Sequence, residues 1–234
     1  MSFINLFGMA VAIALIRVRP TSPEARRGRG PLVNKEVLGR SEYWSIALSL
    51  LVGILGYGAP FTFLTQWVGL HFPSASPMEL IVPLVIVSIC VAIGRSGVGW
   101  AADYVGALNT YIVVLVVSGV VQFALWLTAK SYASICVFGA LYGLVAPGYL
   151  GLLPQIVVTL FGPAALASNT GFLLLFNAPG SLVSGPLGGA LFDLTGRTSF
   201  KYTIICMGAL QLAGGLIALW GESVAYLRVR SSEG

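Results

Sequence analysis

The chain has 234 residues, 57% hydrophobic and only 9% charged, with a formal net charge of +5 and a mean hydropathy of +0.90. Soluble domains carry about 25% charged residues, so the composition excludes an ordinary soluble core and predicts an all-α polytopic membrane protein. The apolar runs do not alternate, which excludes a transmembrane barrel, and the basic residues cluster in one inter-run segment, the pattern of positive-inside topology rather than of a nucleic-acid partner.

Residues 1–16 are apolar but would cover only about 24 Å as a helix, less than the ~30 Å of a bilayer core. Arg17 and Arg19 follow this run instead of preceding it, the reverse of a signal peptide. It reads as a partial transmembrane helix. Residues 17–40 form a basic, Pro- and Gly-rich linker with Arg17, Arg19, Arg26, Arg27, Arg29, Lys35 and Arg40. A six-helix transmembrane bundle is expected over 41–228, followed by a polar tail at 229–234.

Within the bundle the spans are predicted at 43–69, 80–102, 108–129, 132–160, 165–192 and 202–226. The first carries Gly53, Gly56, Gly58 and Pro60, and a bent or partly unwound segment is expected there. The fourth is expected to break at Pro147-Gly148 and Pro154, and the fifth at Asn177-Ala178-Pro179-Gly180. With linker and tail on the cytoplasmic side, the outer loops keep Lys130, Arg197 and Lys201, and the positive-inside rule is obeyed. The spans divide into two groups of three. Their first members, with Gly53–Pro60 and Gly143–Pro154, are matched Gly/Pro-interrupted helices, read either as the substrate path of a secondary transporter or as packing kinks alone.

Few residues in these runs carry chemistry. Arg95 stands inside an apolar run, where an isolated charge costs about 3 kcal/mol on insertion scales. It is either a fork for a substrate carboxylate or a structural pin tied to helix ends. Asp103 lies about 12 Å further along the helix and is either a helix-terminal acid or a contact for a cation of another body. Tyr57, Tyr142, Tyr149, Gln155 and Asn177 are polar groups in spans, suited to lining a cavity or to interhelical hydrogen bonds. Asn177, beside Pro179-Gly180, is the strongest of these. Ser184/Gly188 and Gly185/Gly189 read as close-packing pairs. Trp44, Trp67, Trp126 and Trp220 read as membrane-interface anchors, with Trp100 a candidate for the same set. Cys90, Cys136 and Cys206 read as buried thiols and His71 as an interfacial histidine. No catalytic constellation, cofactor motif or metal-ligand spacing is present in the sequence, so an enzyme is not expected.

The run Gly94-Arg95-Ser96-Gly97-Val98-Gly99-Trp100-Ala101-Ala102-Asp103-Tyr104-Val105-Gly106 has the form G-R-x-G-x-G-x-x-A-D-x-x-G. Between a second and a third span, it resembles the cytoplasmic loop signature of the major facilitator superfamily. On this resemblance residues 1–16 are the end of helix 6, the linker is the central loop, and 43–226 are helices 7 to 12. Arg95 with its A-D-x-x-G turn, the run Gly148 to Pro154 and the run Ser184 to Ala190 look most like the monocarboxylate transporter-like branch, fungal type. Carboxylate-transporting members carry an acid one turn before the arginine, where this chain has Val91.

The resemblance implies secondary transport of a small organic solute, a monocarboxylate among the candidates, by alternating access and with proton symport. If so, the polar residues already singled out for substrate binding are Arg95, Asn177, Tyr57 and Tyr149. Gly94, Arg95, Asp103 and Gly106 would form a conformational-latch motif. It also implies a bilayer, the plasma membrane before an internal one, and a partner body: a preceding six-helix half, which would make this chain a fragment, or a second copy. A non-transporting membrane interaction or sensor protein is the alternative.

Overall fold

Inside hydrocarbon a backbone must satisfy its own polar groups, and each apolar run described here is helical. The structure, a computed structural model, describes residues 37, 39–163 and 166–232. All of them belong to the second of two units, 33–234. The expected partial helix 1–16 and nearly all of linker 17–40 lie outside the described residues.

In chain order the helices are α1 (Ser41–His71), α2 (Pro77–Val105), α3 (Ala107–Val121, continued by a π-turn over Gln122–Trp126), α4 (Tyr132–Val145), α5 (Gly148–Phe161), α6 (Leu166–Asp193) and α7 (Lys201–Ser232). Among the described residues, five stretches are long and apolar enough to cross a membrane: α1, α2, α3 with its π-turn, α4–α5 together, and residues 201–221 of α7. α6 has the length but not the composition, because Asn169, Asn177, Pro179, Pro186 and several glycines dilute its leucines. α7 continues to Ser232, so helix covers most of what the sequence assigns to a tail.

Helix ends follow from local chemistry. Ser76 and Glu79 form a reciprocal capping box at α2, with Pro77 as its first residue. Ser131 and Ser134 do the same at α4. Gly106 (φ +97°) and Gly162 (φ +82°) end α2 and α5 in a conformation that side chains resist.

α1 is the hub. Over its apolar window 56% of the helix is buried within the chain, against 17% for α2. α1 packs on α7, α6 and α2; α2 packs on α4; and α3 packs on α7. Lipid gives little hydrophobic reason for helices to associate, so close approach at small residues does the work. A Cβ on Gly94 would collide with the Leu144 carbonyl of α4, and one on Gly56 with the Met207 carbonyl of α7. Gly139 and Gly143 lie against the Pro83 and Val87 carbonyls on the same α2–α4 seam.

The structure departs from the expected interruptions. α1 is one helix through Pro60, and α6 is one helix through Pro179 and Pro186. α5 runs through Pro154. The chain breaks only between α4 and α5, at Ala146-Pro147. The physical reason is visible in α1. Pro60 has no N–H to give to the Gly56 carbonyl, and Gln122 Nε2 donates to that oxygen from α3's π-turn at 3.4 Å. Tyr142 Oη donates to the adjacent Tyr57 carbonyl at 3.1 Å. Gln122 also donates to Gln211 Oε1, which lies 3.2 Å from Tyr142 Oη and shares that hydroxyl's single hydrogen with the Tyr57 carbonyl. Gln122, Gln211 and Tyr142 are all fully buried. α2 repeats the device: Pro83 frees the Glu79 carbonyl, and Tyr132 Oη donates to it at 2.9 Å.

Two expected interface anchors are core residues instead. Trp126 is 1% and Trp67 3% exposed. Trp126 stacks on Phe138 at 5.2 Å, and Trp67 on His71 at 4.0 Å. Both stand near helix ends, where the sequence suggests an interface, but they face neighbouring helices. Trp44, Trp100 and Trp220 are exposed.

The Gly94–Leu144 contact predicts that Gly94→Leu destabilises the bundle by about 1–3 kcal/mol or more through overpacking. Gly97→Leu, with open space at its Cβ position, should be tolerated. Thermal unfolding of both variants in detergent checks this. Gln122→Leu should cost about 1–2 kcal/mol, since it strands the Gly56 carbonyl and removes one donor to Gln211. Combining it with Gln211→Leu should cost less than the sum of the two, and a double-mutant cycle of unfolding free energies measures the shortfall.

Candidate functional site

The break before α5 creates a helix start in the middle of a span. Its N-cap is Pro147, and no side chain caps it. The first N–H groups of a helix have no intrahelical acceptor, and the helix dipole makes that end positive. A cavity of about 320 Å³ opens here, lined by Gly148, Leu150, Gly151, Leu152 and Gln155 of α5 and by Arg95 and Gly99 of α2. The helix start and the guanidinium thus face one space with the same sign of potential. Such an arrangement favours an anion, and a planar carboxylate fits the guanidinium fork. Among the described residues the ion pair is Arg197–Asp193, at 2.6 Å in the loop after α6. Val91, one turn before Arg95, packs against the apolar core.

Gln155 ties this cavity to the turn after α2: its Nε2 donates to Asp103 Oδ1 at 3.4 Å. Asp103 does not cap the next helix, since no side chain caps α3. Gly94 is buried in the α2–α4 seam and Gly106 makes the turn, so two members of the expected latch serve the backbone directly.

A second cavity, of about 450 Å³, lies between α1 and α6. Tyr57, Gly58, Phe61 and Thr62 line it from one side, and Ser181, Ser184 and Gly185 from the other. Tyr57 is half-buried, with its ring edge-on to Tyr149 at 5.4 Å and against Phe61 at 5.1 Å.

The structure packs Tyr57 against Tyr149 and sets Arg95 in the separate cavity beside Gly148. Arg95 and Tyr57 face open space. Tyr149 is fully buried beneath Tyr57, and its hydroxyl has no partner among the described residues. Asn177 is half-buried on α6 and lines neither cavity. Its Oδ1 is shielded and unpartnered, and its carbonyl accepts from Ser181 Oγ at 3.0 Å.

Sequence reasoning missed Gln122, which donates to the α1 carbonyl that Pro60 frees, and Gln211, which accepts from Gln122. The available signal was a pair of amides inside apolar runs, Val-Val-Gln-Phe and Ala-Leu-Gln-Leu, near the depth of an unpaired proline carbonyl. A buried amide in lipid demands a partner.

No family model matches the chain. Curated relatives do. It is 28% identical over 217 residues to the MFS transporter asaE of Aspergillus flavus, covering 91% of this chain and 47% of the relative. It is 34% identical over 139 residues to the MFS-type transporter opdF of Penicillium oxalicum, covering 59% and 31% respectively. It is 24% identical over 225 residues to the aspyridones efflux protein apdF of Emericella nidulans, covering 96% and 44%. The chain thus spans about half the length, or less, of these relatives. With its long apolar helices, it is an all-α, multi-pass integral membrane protein homologous to fungal MFS-type transporters.

Proposed function

We propose that the chain forms the C-terminal six-helix half of a major facilitator-type transporter of the monocarboxylate transporter-like branch. It would move a small organic anion, monocarboxylates being the first class to test, by alternating access. The observation that carries this reading is the shared cavity of Arg95 and the uncapped start of α5. Arg95 supplies the fixed charge and the fork. Tyr57 offers a hydroxyl from the adjoining cavity, and Tyr149 supports its ring from beneath. Asp103, through Gln155, is placed to relate the occupancy of the cavity to the turn between α2 and α3.

The same reading supplies the second body. Gly97 and Gly99 on α2, and Gly185 and Gly189 on α6, meet nothing within 4 Å of their Cβ positions. These surfaces admit a close-packed neighbour, either a preceding half or a second copy. Proton symport, the plasma membrane and a cytoplasmic linker and C-terminus belong to the proposal too. The named efflux function of the aspyridones relative suggests export as the physiological direction.

Counterflow of a panel of labelled organic acids into proteoliposomes tests the reading. Arg95→Ala should lower saturable transport at least about tenfold, the effect of losing a charge-assisted pair, with insertion unchanged. Arg95→Lys, which keeps the charge and loses the fork, should fall between. Wild-type transport by Arg95→Ala would remove Arg95 from the site. Absence of saturable transport for every solute would favour a non-transporting interaction protein.

A further inference from the structure

The cavity between α1 and α6 differs in kind from the one that holds Arg95. Among the described residues no charged side chain lines it, and its polar groups are the hydroxyls of Thr62, Ser181 and Ser184 with the Tyr57 phenol. Three of those hydrogens are already committed. Thr62 Oγ1 donates to the Gly58 carbonyl at 3.0 Å, Ser181 Oγ to the Asn177 carbonyl at 3.0 Å, and Ser184 Oγ to the Leu55 carbonyl at 2.7 Å. A hydroxyl that has given its hydrogen keeps its acceptor capacity, so toward a further partner these three oxygens are acceptors. Those of Thr62 and Ser181 stand in exposed positions, where an occupant of the cavity can reach them.

The apolar part of the lining is built in advance. The Tyr57 ring lies 5.1 Å from Phe61, edge-on to Tyr149 at 5.4 Å and stacked on Tyr142 at 6.5 Å. Tyr142 and Tyr149 are fully buried, so the α1 wall is backed by the core. α6 closes the other side with Leu182 and Pro186 and with Gly185, whose Cβ position is open. The volume of about 450 Å³ is that of a small-molecule site.

These features discriminate between occupants. An anion finds no cation in the lining. A cation finds ring faces but no carboxylate, and would give up its hydration without a counter-charge. A body without donors leaves the acceptors that face it unmatched. A neutral aromatic ring with an O–H or N–H group answers both parts of the lining: the ring packs on Tyr57 and Phe61, and the donor reaches Thr62 or Ser181.

We propose that the α1–α6 cavity is a second ligand subsite, which takes a neutral aromatic ring bearing a hydrogen-bond donor. It deepens the transport reading and rests on it in one respect, that the ring belongs to the solute carried. Gly185 sets the size limit, since its missing side chain leaves the space for the ring.

Equilibrium dialysis of tritiated 2-naphthol against nanodiscs holding the 234-residue chain, with empty nanodiscs subtracted, tests the subsite without transport. Saturable binding is expected. Two analogues should displace it about three- to tenfold less well than unlabelled 2-naphthol, the value of one hydrogen bond or one aromatic contact: 2-methoxynaphthalene, which has no donor, and decahydro-2-naphthol, which has no aromatic ring. Gly185→Leu should abolish binding. Gly171→Leu, the same change at another open position of α6, should leave it unchanged. Thr62→Val combined with Ser181→Ala removes the two exposed acceptors and leaves the cavity its shape. It should weaken 2-naphthol about three- to tenfold and leave 2-methoxynaphthalene unaffected. Displacement by either analogue as effective as by 2-naphthol, binding undiminished in both Gly185→Leu and the double variant, or no binding above empty nanodiscs would overturn the proposal. A chain that binds 2-naphthol but shows no saturable counterflow of any solute would count against the transport reading and leave the subsite standing. One that carries organic acids but does not bind 2-naphthol would do the reverse.

Discussion

A carbonyl released by a proline in the middle of a membrane has no water to turn to. The rest of this structure depends on how the chain answers that constraint. At Pro60 the answer comes from α3's π-turn, where Gln122 reaches the Gly56 carbonyl, and from α4, where Tyr142 reaches the Tyr57 carbonyl. Gln211 of α7 joins both donors. Three helices are thereby fixed about the buried hub α1. The π-turn has a purpose in this arrangement: its i→i+5 bond, from Leu127 N to the Gln122 carbonyl, occurs where the Gln122 side chain is turned toward α1. An apolar residue at 122 would pack as well and leave the hub with an unmatched oxygen.

The same constraint is left open at the α4–α5 break. There the chain interrupts a span, no side chain caps the new helix start, and a cavity with an arginine lies against it. The contrast is between Pro60, where the freed Gly56 carbonyl is satisfied from within, and Pro147, where an uncapped helix start borders a cavity. Proline alone does not distinguish the two. The positions of the surrounding donors do.

Much of the architecture was legible in the sequence. Low charge and long apolar runs gave the helices and most of their limits, because length and hydropathy decide membrane spans almost without tertiary help. The break at Pro147-Gly148 was legible for the same local reason. The continuity of α1 was not, since the carbonyl that Pro60 frees finds its partner more than sixty residues away in sequence, in Gln122 for Gly56. The roles of Trp67 and Trp126 were hidden by position, because a tryptophan near a helix end can turn either to lipid or to a neighbouring helix. Within the candidate site, Arg95 announced itself as a charge in an apolar run. Gln155 and Tyr57 could be picked out as polar residues but not placed, since only the fold shows that one reaches Asp103 and the other faces α6.

The joint at Gly106 has a mechanical meaning. α2 ends at Val105 and α3 begins at Ala107, so a single residue connects them. That residue is bonded on both sides, its N–H to the Ala102 carbonyl and its carbonyl to both the N–H and the hydroxyl of Thr110. There is no slack for one helix to turn while the other stays. A tilt of α2 at its Arg95 end must be handed to α3 as leverage, and from α3 to α7, on which it packs. The two helices are joined as one bent strut with Gly106 as its elbow.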